Sequence, residues 1–174
     1  EGVVQSNFYT FNILKSLSEI AEKNSKIDRL EIYGKCPNIY KKNLINSKKT
    51  KFMGIVSKKK ISNIYKRNRI IFFVLEQFPA CPNSVIEALS SNTVVVGFNN
   101  GSLPEMLEDK NYLVNFSNIE NLKNFNLTKN IIEKKINFII LNFKKLQKKI
   151  KSISKKFNIN SMGKNYLKVL KETI

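Results

Sequence analysis

Asn83-Ser-Val-Ile-Glu87 follows Cys81-Pro82, and Asn99-Asn-Gly-Ser102 follows the apolar run Thr93-Val-Val-Val-Gly97. A proline ahead of helix-forming residues starts a helix, and the first N–H groups of a helix have no intrahelical acceptor. The amides of Ser84, Val85 and Ile86 are therefore expected to point outward, where they can hold a diphosphate without a metal. Glu87 lies one turn in, placed either to accept from the paired hydroxyls of a ribose or sugar or simply to favour the positive end of the helix dipole. Gly101 permits a backbone approach that a side chain would block, and Ser102 with the amides after it can meet the same ligand. Two adjacent strand-turn-helix units aimed at one sheet edge are how open α/β sheets bind ligands, beyond the carboxyl ends of their strands.

Competing chemistries have little to stand on. The chain contains no histidine, which removes His-based metal sites, Ser-His-Asp triads and histidine general bases. No P-loop and no full GxGxxG occurs. Basic clusters such as Lys58-Lys-Lys60 and the lysines from Lys144 to Lys156 lack an interleaved aromatic platform, so they predict no specific nucleic-acid partner.

The elements that must position these residues follow from periodicity. Phe11, Leu14, Leu17 and Ala21 recur at helical spacing, predicting a helix over Thr10 to Lys23. Arg29 to Gly34 reads as a strand closed by glycine, and Thr50 to Gly54 as another. Pro37 to Ile45 has the length of a short helix, and Ser57 is a candidate N-cap for a helix carrying Ile61, Ile64 and Tyr65. Ile70 to Leu75 and Thr93 to Val96 are apolar on both faces, which suits the middle of a parallel sheet covered by helices. Ser102 with Glu105, and Ser117 with Glu120, have capping-box spacing, and Tyr112 to Val114 reads as a last strand. From Thr128 to Lys156 an apolar stripe (Ile132, Ile136, Ile139, Phe143, Leu146, Ile150, Ile153) predicts one long helical region. It has three readings: packing across the domain, docking on a partner domain, or lying on a membrane surface or a second copy. Tyr166, Val169 and Leu170 continue as a final helix. The fold class expected is α/β, a Rossmann-like parallel sheet flanked by helices.

The chain has 174 residues, enough for one substantial core. Its net charge of +18, from 31 Lys and Arg against 13 Asp and Glu, would attract phosphates, anionic headgroups or an anionic small molecule. The abundance of Lys, Asn and Ile everywhere gives the charge a second, purely compositional source. The two cysteines, Cys36 and Cys81, form no paired motif, so free thiols in a reducing, cytoplasmic setting are expected. No run approaches the roughly 18 apolar residues of a membrane span. The first residues lack the basic region and apolar core of a secretory signal. A start without methionine, just ahead of a first helix, suggests a piece of a longer polypeptide or a trimmed terminus.

Cys81-Pro-Asn-Ser-Val-Ile-Glu-Ala-Leu89, Val94-Val-Val-Gly97 and Asn100-Gly-Ser-Leu-Pro-Glu105 resemble the donor-site helix, following strand and glycine-rich loop of retaining two-domain glycosyltransferases, often called group 1 or family 4. The match is to the C-terminal, nucleotide-sugar-binding domain of these GT-B enzymes and extends more loosely over nearly the whole chain. The resemblance implies that residues 1–174 are a donor domain with 128–174 as its C-terminal helical region. It further implies that the acceptor domain, N-terminal in the family, is absent from this chain. Glu87 would match the second glutamate of an E-x7-E pair and hold the donor's ribose. Ile55, after Phe52-Met-Gly54, would lie near the base. Asn83, Ser84 and Val85 would approach the diphosphate and sugar, and Asn100, Gly101, Ser102 and Glu105 would form the loop beyond.

The reaction implied is metal-independent transfer of a sugar from a nucleoside diphosphate sugar, with retention and with no cofactor, and the chain alone is expected not to catalyse it. Its partners would be the nucleotide-sugar, an N-terminal domain or partner subunit, and the cytoplasmic face of an anionic membrane. Three positions depart from the family pattern: Pro79 stands where the first glutamate falls, the paired glycines are Gly101-Ser102, and Gln5 to Phe11 contains neither Arg nor Lys. These departures and the charge motivate the alternative, a degenerate, non-catalytic basic scaffold or anion-binding module.

Overall fold

The computed structural model describes residues 8–44, 47–67, 69–76, 79–158 and 167. Seven α-helices and five strands alternate through these residues. They run α1 (Phe8–Lys23), β1 (Leu30–Tyr33), α2 (Asn38–Leu44), β2 (Thr50–Gly54), α3 (Lys58–Tyr65), β3 (Ile71–Phe73), α4 (Asn83–Ser90), β4 (Val94–Phe98), α5 (Leu103–Leu107), β5 (Leu113–Val114), α6 (Phe125–Leu141) and α7 (Phe143–Ser154). Every strand pair is parallel, so each strand is followed by a helical return and the class is α/β. The strands form two sheets rather than one, β1-β2 and β3-β4-β5.

β4 is the centre of the larger sheet. Its sequence, Val-Val-Val-Gly-Phe, is buried at all five positions because helices cover both faces and strands flank both edges. The main core gathers around it: Val85, Ala88 and Leu89 of α4, Leu103 and Leu107 of α5, and Ile132, Ile139, Leu146 and Ile150 of the last two helices. A smaller cluster of Leu14, Ile32, Cys36, Tyr40 and Leu44 lies under β1 and α2.

Buried polar groups in these cores are paired, as their desolvation demands. Asn12 donates both amide hydrogens, to the carbonyls of Leu122 and Lys123 at 2.9 Å each, tying α1 to the turn that leads into α6. Ser18 and Thr50 share a 2.7 Å hydrogen bond between α1 and β2. Tyr112 donates to the Leu146 carbonyl at 2.8 Å, and its burial holds the phenol well above the usual tyrosine range.

Three local expectations are corrected. The long helix breaks at Asn142, whose φ of −105° leaves the helical range and whose side chain donates back to the Phe138 carbonyl at 2.9 Å. The break lets α6 pack along α1 while α7 packs on α4 and β4. Ser102 has helical backbone angles and makes no side-chain cap, so the box with Glu105 does not form. The turn at 119–123 is capped by Asn118 in place of Ser117, its Oδ1 accepting from the Glu120 amide at 3.0 Å. The stripe along the two helices is buried within the chain at Ile132, Ile136, Ile139, Phe143, Leu146, Ile150 and Ile153. The expected final helix at Tyr166, Val169 and Leu170 lies outside the described residues, as do Gln5 to Asn7. No described helix is long and apolar enough to cross a membrane.

Candidate functional site

The turn from β3 into α4 carries the residues singled out first. Pro82 is extended (φ −71°, ψ 123°) and stands immediately before the helix, and Val85, Ala88 and Leu89 turn inward. Asn83 and Glu87 are both exposed, and at a separation of four residues they share one face of the helix. The Val85 amide closes onto the Pro82 carbonyl at 2.9 Å. The first-turn amides of Asn83 and Ser84 are the ones left without an intrahelical acceptor. Cys81 enters the turn at φ +128°, a conformation that a side chain rarely tolerates.

The turn from β4 into α5 lies directly against the first one. Gly97 makes room for the helix, because a β-carbon there would meet Leu103 at 2.5 Å and Val74 at 3.1 Å. Asn99 donates its amide to the Val114 carbonyl at 2.9 Å, and Gly101 donates to the Asn100 side chain at 2.8 Å. Ser102 donates to the Pro79 carbonyl at 2.8 Å. Gly101, at φ +57°, is so close to Pro79 that a β-carbon would sit 2.5 Å from that carbonyl oxygen and 2.9 Å from the proline nitrogen. Asn100, Gly101 and Ser102 are thus brought together with the turn leading to Asn83 and Ser84. The Ser102 amide is already committed to Pro79, and Glu105 is exposed on α5.

Ile55 is 61% exposed just beyond β2, after Gly54 at φ +69°. It stands beyond the carboxyl end of β2, on the two-stranded sheet. The first turn of α3, which follows, consists of the exposed lysines Lys58, Lys59 and Lys60. Cations oppose the positive end of a helix dipole, so this turn carries an electrostatic cost and a concentration of positive charge together.

Tyr65, at the end of α3, is buried, and its phenol is pushed up to about 12, first by burial and then by the Glu87 carboxylate. Its ring meets Phe72 edge-on at 5.5 Å, and its carbonyl accepts from Thr93 Oγ1 at 2.8 Å. Sequence reasoning singled out neither this neighbour of Glu87 nor the role of the Pro79 carbonyl. Both are tertiary relationships with no local pattern to announce them, whereas proline ahead of α4 and glycine at 101 were visible signals. Among the described residues no group of three or more Cys, Asp or Glu is gathered as a metal site.

The arrangement can present helix amides, hydroxyls and a carboxylate to an anionic, hydroxyl-bearing ligand on one sheet edge. Residues 10–125 match the family model described as glycosyl transferases, group 1. No curated protein matches the chain.

Proposed function

The chain belongs to the glycosyl transferases of group 1, and from that premise we propose that its carboxyl-edge turns form the donor half of a retaining, metal-independent sugar transfer. The observation that supports this reading best is the junction of the two strand-turn-helix units at Pro79 and Ser102, which sets the first turn of α4 beside the 99–102 loop. In this reading the Asn83 and Ser84 amides hold the diphosphate, and Glu87 on the same helix face accepts from the ribose hydroxyls. Ile55 borders the base, and Asn100, Gly101 and Glu105 line the sugar end. Lys58 to Lys60 add positive potential along the edge on which the diphosphate arrives. A second domain or subunit supplies the acceptor and the opposite wall of the cleft, so residues 1–174 bind donor without turning it over.

Calorimetric titration of the folded chain with UDP- and GDP-sugars tests the reading. Saturable binding that weakens by about tenfold or more in Glu87→Ala is expected, since a hydrogen bond to a charged group contributes roughly 1.5–3 kcal/mol. Absence of binding by a folded sample, or binding unchanged in Glu87→Ala, overturns it.

A second reading is favoured by Pro79, by the Ser102 amide being engaged internally and by the charge of +18: a basic module for anionic membranes or other polyanions. Affinity for anionic vesicles that exceeds any nucleotide-sugar affinity and persists at physiological salt selects it. Loss of that affinity between about 50 and 200 mM salt marks it as nonspecific attraction.

A further inference from the structure

Asn100-Gly101 is the one place in the chain where glycine follows asparagine. Asparagine is chemically labile because its carboxamide can be attacked by the backbone nitrogen of the next residue, closing an unstrained five-membered ring. Glycine in that next position puts no side chain in the way. The reaction then depends on whether the fold holds the two reacting atoms together or apart.

The turn after β4 holds them together. The Gly101 N–H donates to Asn100 Oδ1 at 2.8 Å, which keeps the nitrogen beside Cγ, the atom one bond behind that oxygen. Asparagine oxygens elsewhere are aimed further along the chain: Asn24 and Asn118 accept from the second amide on, and Asn124 from the third. Asn12, buried in the core, spends its carboxamide hydrogens on two carbonyls. The flanks of the turn are pinned, the Asn99 amide to Val114 and the Ser102 amide to Pro79. Among the described residues the Gly101 N–H finds its acceptor in the Asn100 side chain and in no strand or helix, so no sheet or helix bond is given up when its nitrogen turns on its neighbour. Gly101 is exposed and Asn100 half-buried, which leaves the peptide open to water.

We propose that Asn100 is a site of spontaneous covalent modification, in which the Gly101 backbone nitrogen converts its carboxamide to a carboxylate. Water takes the Gly101 amide proton, and the nitrogen bonds to Asn100 Cγ. The bond from Cγ to Nδ2 breaks, and Nδ2 leaves as ammonia with a proton returned from water. A second water adds to either carbonyl of the cyclic imide and opens it, giving aspartate or isoaspartate at position 100. The balance is ammonia lost for water gained, with nothing oxidised or reduced.

A carboxylate then replaces a neutral group in the loop beside the first turn of α4. The isoaspartate product also adds an atom to the main chain where Gly101 is already pressed against Pro79. The modification rests on the loop geometry alone. Its effect on binding rests on the donor reading, under which a negative charge in this loop repels the diphosphate.

Peptide mapping by mass spectrometry of the whole chain, kept folded in mildly alkaline buffer, tests it. The peptide carrying residue 100 is expected to gain about one dalton and to become a substrate for an isoaspartate methyltransferase. It is expected to convert at least about tenfold faster than the peptide carrying Asn24, which is likewise half-buried but precedes serine. The chain unfolded in urea gives the intrinsic rate, and the folded chain is expected to stay within about tenfold of it. Asn100→Gln, whose ring closure needs one more atom, is expected to stay unconverted. Asn100 that remains intact in the folded chain while converting in urea, or conversion no faster than at Asn24, overturns the proposal. Asn100→Asp carries the new charge directly and is expected to bind nucleotide-sugar about tenfold more weakly at low salt, with part of the loss recovered as salt is added. Unchanged affinity in Asn100→Asp overturns the effect on the site, whereas a chain that converts yet binds no nucleotide-sugar in either form overturns the donor reading alone.

Discussion

Gly101 rests on Pro79: its amide neighbour Ser102 donates to the Pro79 carbonyl at 2.8 Å, and a β-carbon at 101 would fall 2.5 Å from that same oxygen. Backbone cannot yield as a side chain can, and φ +57° adds its own strain. Gly101→Ala is expected to cost about 2 kcal/mol or more. Gly97→Ala, which presses on the buried Leu103 side chain, is expected to cost roughly 1–3 kcal/mol. Gly54→Ala, with open space around it and only a positive φ to pay for, is expected to cost about 1 kcal/mol. Urea unfolding of the three variants gives the ranking, and Gly54→Ala emerging as the worst would contradict it.

Cys81 is exposed yet held at φ +128°. Glycine relieves that strain and loses no packing, while its extra unfolded-state freedom subtracts part of the gain. Cys81→Gly is expected to stabilise the chain by about 1 kcal/mol net, and Cys81→Val to destabilise it. Thermal midpoints of both variants check the sign.

Tyr65 gives a pH dependence whose direction is fixed. The folded-state phenol titrates at about 12, against about 10 for an ordinary tyrosine. Between these values the unfolded chain binds fewer protons than the native one, so stability is complete below about pH 10 and falls as pH rises toward 12. Tyr33, also pushed up to about 12 by burial and then by its hydrogen bond to Glu31, adds to the same slope. Tyr65→Phe is expected to shallow the alkaline loss of stability without abolishing it. Denaturation midpoints at pH 9, 10 and 11 supply the measurement, and an unaltered slope in Tyr65→Phe would refute the assignment.

Lys58, Lys59 and Lys60 set stability against binding. Removing cations from a helix start gains about 0.3–1 kcal/mol per charge at low salt. Replacing all three with alanine is expected to raise stability modestly and to weaken nucleotide-sugar binding, the latter loss shrinking as salt is added. Denaturation and titration on one preparation read both effects. Unchanged donor affinity would remove these lysines from the site.

Much of the fold was legible because its signals are local. Pro82 ahead of Asn83, the apolar runs at Ile70 and Thr93, and the glycines closing β1 and β2 each mark an element without reference to the rest. The break at Asn142 was hidden because Ile139, Phe143 and Leu146 keep their spacing across it, both helices burying the same stripe against different neighbours. The capping boxes misled for a related reason. Ser102 has helical backbone angles and an amide bonded to Pro79, and Asn118 takes the cap one position after Ser117. For the site, the exposed helix face bearing Asn83 and Glu87 follows from the periodicity of Val85, Ala88 and Leu89. That the Ser102 amide is already taken does not, since it depends on where a proline carbonyl arrives in space.

Asn142 joins a helix lying on α1 to one lying on α4 and β4, and Phe143, just past the joint, lines the cavity that residues of β1 and β3 also line. The C-terminal pair thus works as a splint across a seam. Widening the seam would mean peeling one helix from its bed, which the burial of Ile132, Ile139, Leu146 and Ile150 opposes.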